Sequence, residues 1–181
     1  MKRQKGLTLI ELLISIVVLT VILALGIPSF MQFIKNNRLT AQANNLVVSV
    51  QLARSEAVKR GSGAIICAAN ADLDGCSADT DWATGWIVFA DLDQDGDLTE
   101  AEECTTEADF DVKDCILRKD GPLSRNTLTA GSDNLHFLPN GLASNGPLTF
   151  TLKADDCNYQ QQRSITITTQ GYPITAKQNC S

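Results

Sequence analysis

Residues 1–30 read MKRQKGLTLIELLISIVVLTVILALGIPSF, and this opening decides the architecture. Three basic residues, Lys2, Arg3 and Lys5, precede Gly6, and from Leu12 to Met31 the chain runs twenty residues without a charge. At about 1.5 Å rise per residue such a run spans about 30 Å as a helix, the thickness of a bilayer's hydrocarbon. A removable secretory signal has a shorter apolar core, and no small-x-small cleavage site directly follows this run at Met31. Positive charge stays on the cytoplasmic side, so the sequence predicts a single-pass segment with the carboxy-terminal portion facing out. One residue violates the pattern: Glu11 is a carboxylate at the edge of the apolar run. An unpaired acid at mid-bilayer costs roughly 3 kcal/mol, so Glu11 requires a partner. Cleavage after Gly6 would place a new α-amine on Leu7, four residues before Glu11, in the same chain or in a neighbour. Pairing with a neighbour would build a polymer.

Past Pro28, whose ring removes a helix donor and favours a bend, the apolar period continues. Leu39, Ala43, Leu46, Val50, Ala53 and Ala57 alternate spacings of four and three, one stripe along a helix that can lie on a folded head. Lys59 and Arg60 suit the negative end of the helix dipole, and Gly61 is a natural terminator. After Gly61 the period becomes that of strands, over Ala64–Ala68, Trp86–Phe89, Cys115–Arg118, Leu135–Leu138, Leu148–Lys153 and Ser164–Thr169, with turn signals at Asn140-Gly141 and Asn145-Gly146.

Gly6-Leu7-Thr8-Leu9-Ile10-Glu11 with its apolar run resembles the type III signal of type IV prepilins and type II secretion pseudopilins. The helical segment from Asn36 to Gly61 is similar to that of the GspH/FimT-like minor pilins. Cys67 and Cys76 around a short loop, Trp82, the run Gly85-Trp86-Ile87-Val88-Phe89 before Asp91, and Phe137 before Pro139 and Gly141 extend the likeness to Lys153. The resemblance implies an α+β pilin-like fold, one long amino-terminal helix, transmembrane then amphipathic, packed on an antiparallel two-sheet β head. It implies a leader over 1–6, a transmembrane helix over 7–31, an amphipathic continuation over 32–61 and a β-rich head over 62–181. A prepilin peptidase would cut between Gly6 and Leu7 and methylate the new amine, and Glu11 would pair with the amine of an adjoining subunit to set register. The implied partners are other minor and major pilins, the peptidase and the inner-membrane assembly platform. The implied location is the inner membrane with the head in the periplasm, then the extracellular filament.

All six cysteines, Cys67, Cys76, Cys104, Cys115, Cys157 and Cys180, follow the apolar run, which points to an oxidising compartment. Six cysteines allow fifteen connectivities; nearest neighbours favour Cys67 with Cys76, Cys104 with Cys115, and Cys157 with Cys180. A zinc site is the rival, but no Cys-x-x-Cys pair exists and His136 follows no ligand spacing.

The charge is uneven. Lys35 to Arg60 holds five bases and one acid, whereas Ser62 to Ser181 holds nineteen acids and seven bases, a net of −12. Such a head repels phosphate backbones. Relatives implicated in DNA uptake place Gly-Arg-x-Arg where this chain has Gly171-Tyr172-Pro173-Ile174, so direct nucleic-acid binding is not expected.

One acidic stretch has its own pattern. Asp91, Asp93, Asp95 and Glu102 occupy the first, third, fifth and twelfth places of a twelve-residue calcium loop, Gly96 the sixth, Asp97 the seventh and Leu98 the eighth. A strand, not a helix, precedes it. The loop is read either as a structural calcium site or as a solvated acidic turn, with no cofactor required for the fold. Catalysis finds no support, since His136, the only histidine, lies in an apolar strand run with no nucleophile paired to it. The functions compatible with the sequence are a type IV minor pilin acting in filament initiation, a type II secretion pseudopilin, and a calcium-dependent adhesive tip module.

Overall fold

A computed structural model describes residues 8–98, 102–104 and 114–180 of the 181-residue chain. Gly6 and Leu7 lie outside these residues, as does the side chain of Glu102. Two compact units are present, Met1–Arg38 and Leu39–Ser181.

Helix α1 spans Leu9–Arg60 and contributes to both units. In the first unit the described large apolar side chains from Leu9 to Phe33 are between 48% and 79% exposed. A helix apolar on every side has no solvent-facing stripe, and this one is long and apolar enough to cross a membrane.

In the second unit, residues 39–60 of α1 pack on two sheets. The first sheet has five strands in the order β3-β4-β2-β1-β6, with β1 Gly63–Ala68, β2 Trp86–Asp91, β3 Glu102–Glu103, β4 Asp114–Asp120 and β6 Asn134–Phe137. The second has four, in the order β5-β7-β8-β9, from β5 Asn126–Ala130, β7 Leu148–Ala154, β8 Gln162–Ile167 and β9 Pro173–Gln178. All described pairings are antiparallel except β3 with β4. The six helical stripe residues named from the sequence, Leu39 through Ala57, are each at most 2% exposed. They share one core with Ile66, Trp82, Trp86, Phe137, Phe150 and Ile165 from both sheets. Trp82 meets Phe150 edge to face at 4.8 Å, and its indole N–H donates to the Ser132 carbonyl. Both the ring geometry and the satisfied polar tip fit a tryptophan used as core rather than as a ligand platform. Gly61 closes the helix at φ +66°, the left-handed cap a glycine adopts without penalty.

A smaller core lies on the opposite face of the five-stranded sheet, where Ile65, Cys67, Ile87, Phe89 and Ile116 meet, with Leu98 partly buried against them. Disulfides join Cys67–Cys76, Cys104–Cys115 and Cys157–Cys180.

Three strands escape the sequence reading. β3 is two residues in an acidic stretch; β5 buries Leu128 but exposes its threonines; and β9 is an edge strand without a buried residue. None shows the apolar alternation that marks a half-buried strand.

Candidate functional site

The amino-terminal end of α1 explains part of Glu11. The Glu11 backbone N–H donates to Thr8 Oγ1 at 3.3 Å, and Ser15 Oγ donates to the Glu11 carbonyl at 2.7 Å. Thr8 is thus the cap and Glu11 the third helical residue, the spacing of a capping box. A carboxylate in the first turn also favours the positive end of the helix dipole. The Thr8-x-x-Glu11 spacing is itself legible in the sequence as a capping-box signature. The Leu7 amine, the expected partner, lies outside the described residues.

The acidic loop begins where β2 ends. Side chains alternate across a strand, so Asp91 shares the outer face with Ile87 and Phe89, beside the small outer core. Across the ladder stand Gly63 on β1 and Asp114 on β4. Asp91 is 5% exposed, and among the described residues its Oδ1 has no hydrogen-bond partner. Burial pushes its pKa up; the Gln94 backbone N–H opposes the rise, and Asp93 and Asp95 add to it by repulsion. Carboxylate oxygens of Asp91, Asp93 and Asp95 all lie within 4.8 Å of one another.

The chain between them is shaped by its own side chains. Asp93 Oδ1 accepts from the Asp95 N–H at 3.3 Å and Asp95 Oδ1 from the Asp97 N–H at 2.9 Å, while Gln94 and Gly96 take φ of +62° and +85°. Leu98 turns back onto the outer core. The cleft beside the loop is lined by His136, which burial keeps below its usual pKa despite Asp91, Asp133 and Asp97 nearby. Of the four expected ligands whose side chains are described, the structure brings three together. Asp97 is outside that trio; the seventh place of such a loop ligates through its backbone carbonyl.

At the other end of the same β2–β4 pair sits a constellation the sequence reading missed. Asp120 Oδ1 accepts from Asn45 Nδ2 at 2.9 Å, and Oδ2 accepts from Ser49 Oγ at 2.9 Å and Arg118 Nε at 2.6 Å. Ser49 in turn accepts from the Trp86 indole at 2.9 Å. Burial works against the Asp120 charge, but the hydrogen bonds from Arg118, Ser49 and Asn45 outweigh it and hold the carboxyl below its usual range. The group fastens α1 to the sheet. Further along, Arg54 Nε donates to the Gly141 carbonyl at 3.0 Å and its guanidinium lies 4.4 Å from the centre of the Tyr172 ring. The turn at Gly171-Tyr172 therefore grips the helix.

Comparisons with known proteins bear on both units. A family profile described as Type II transport protein GspH matches residues 42–171, and one described as the prokaryotic N-terminal methylation motif matches residues 1–27. Among solved structures, the type IV minor pilin FimU of Pseudomonas aeruginosa PAO1 in one crystal form is similar with a TM-score of 0.54 at 22% identity, over 80% of this chain and 92% of that one. A second crystal form gives 0.51 at 21% identity, over 76% and 91%. No curated protein matches. The structural likeness supports the fold.

Proposed function

The chain belongs to the GspH family and opens with the prokaryotic N-terminal methylation motif, and on that footing we propose that it is a minor subunit of a type IV pilus that helps to initiate the filament or occupies its tip. Members of this pilin class are structural rather than enzymatic, and they work by associating with other pilins and the assembly machinery. One observation carries the proposal: a first unit whose apolar helix is exposed on all sides and bears a single carboxylate, Glu11, in its first turn. Such a helix is stored in the inner membrane and then transferred to a bundle of like helices in the filament. After cleavage behind Gly6, the Leu7 ammonium of a neighbour neutralises Glu11 and fixes the axial register. The head stays in the periplasm until extraction.

The capping-box geometry makes the test sharper. Glutamine serves a capping box as well as glutamate does, but it cannot neutralise an ammonium. Glu11→Gln should leave processing and membrane insertion intact and reduce the chain in sheared filaments to background. Normal incorporation would assign Glu11 to the cap alone and overturn the pairing. Gly6→Val should leave the leader attached by mass spectrometry.

The description of the matching family favours a second reading, a pseudopilin of a type II secretion system. Deleting the gene separates the two: loss of surface pili and twitching supports the pilus, loss of exoprotein secretion with pili intact supports the pseudopilus.

A further inference from the structure

The acidic loop has no part in assembly, and one of its carboxylates is buried. The oxygens of Asp91, Asp93 and Asp95 converge to within 4.8 Å of one another. Two oxygens bound to one calcium at 2.3–2.6 Å stand at most about 5 Å apart, so a single ion can touch all three. The independent observation is Asp91 itself, buried to 5% exposure with Oδ1 unpartnered among the described residues. A buried carboxylate oxygen without a donor costs free energy unless a cation or proton compensates it. Among the described residues no lysine or arginine forms an ion pair with the trio. The donors are all oxygen, and every cysteine is bridged, which disfavours soft metals.

We propose that the loop after β2 is a binding site for one calcium ion, held by Asp91, Asp93 and Asp95. Asp91 is the fixed ligand, seated on the rigid sheet beside Gly63, where an added Cβ would stand 3.3 Å from its Oδ2. Asp93 and Asp95 are exposed and supply the solvent side of the shell, which water and backbone carbonyls complete. Leu98 anchors the far side of the turn on the outer core, so the ion joins an exposed loop to a covalently braced sheet. A half-exposed site with three carboxylates belongs with extracellular modules of Kd about 10⁻⁴ to 10⁻³ M.

The test uses the full chain purified in detergent, stripped with EGTA and dialysed. Thermal melting followed by circular dichroism is compared in EGTA and in 10 mM calcium chloride, alongside calorimetric titration with calcium chloride. Calcium should raise the melting temperature by a few degrees and titrate as one site, while magnesium, which demands a tighter octahedral shell, should do less. Asp93→Ala/Asp95→Ala gives up two hydrogen bonds within an exposed turn, so the protein should fold with a slightly lower melting temperature in EGTA and lose the calcium response. Superimposable wild-type melting curves with no titration heat would overturn the site, as would a double variant that still responds or an equal response to magnesium.

Discussion

Asp91 and Asp120 stand at opposite ends of the β2–β4 pair, Asp91 facing Asp114 and Asp120 facing Trp86. They are the same residue on the same ladder, and the protein treats them in opposite ways. Asp120 receives hydrogen bonds from Arg118, Asn45 and Ser49, and its pKa falls; Asp91 is buried with two like charges beside it, and its pKa rises. A carboxylate whose every lone pair is answered by the chain is a fastener. One with a buried oxygen that no described donor reaches keeps that oxygen available for something else. The difference shows that charge pattern alone does not separate a structural acid from a binding one; the location of donors does.

The same substitution at both positions tests this contrast. Asp120→Asn exchanges charge-assisted bonds for neutral ones and leaves Arg118 without its partner. With the Asp120 side chain 12% and Arg118 30% exposed, water screens part of the loss, and about 2 kcal/mol of stability should disappear, below the roughly 3–5 kcal/mol of a fully buried broken pair. Chemical denaturation of the full chain in EGTA measures it; an unchanged midpoint would show that the helix is not fastened there.

A smaller effect is expected from acid. Because Asp120 has a lower pKa folded than unfolded, its contribution is present above the unfolded value of about 3.9 and is lost as pH falls through the lower folded value. Melting temperatures between pH 6 and pH 2.5 should therefore fall less steeply in Asp120→Asn than in the wild type, and parallel curves would refute the assignment.

The smallest effect, and one of opposite sign, belongs to Asp91. In EGTA, Asp91→Asn removes a buried charge that burial and its neighbours disfavour, so stability should stay level or rise by less than about 1 kcal/mol. A loss as large as that at Asp120 would mean that Asp91 is structural after all.

How much of this was written in the sequence depends on the range of the interaction. The helical stripe from Leu39 to Ala57 was fully legible, because each residue is placed by its neighbours three and four positions away. So was the outline of two sheets on one helix. The twelve-residue loop showed its oxygens through local spacing, but spacing could not show that Asp97 falls outside the converging trio or that Asp91 Oδ1 has no hydrogen-bond partner among the described residues, since both depend on the folded surroundings. Asn45, Ser49, Trp86 and Asp120 form no pattern along the chain. Ser49 and Asp120 are 71 positions apart, and a serine inside a helix gives no sign of the indole and carboxylate it will meet.

All three disulfides lie beyond Gly61 and close loops within the head. The joint between residues 39–60 of α1 and the sheets therefore contains no covalent cross-link. If tension is applied along α1, it loads the Leu39-to-Ala57 stripe in shear, together with the Asp120 fastening and the Arg54 grip on Gly141 and Tyr172. The bridges toughen the head against unravelling, but the mechanical strength with which it rides on its helix is set by non-covalent contacts and is independent of redox state.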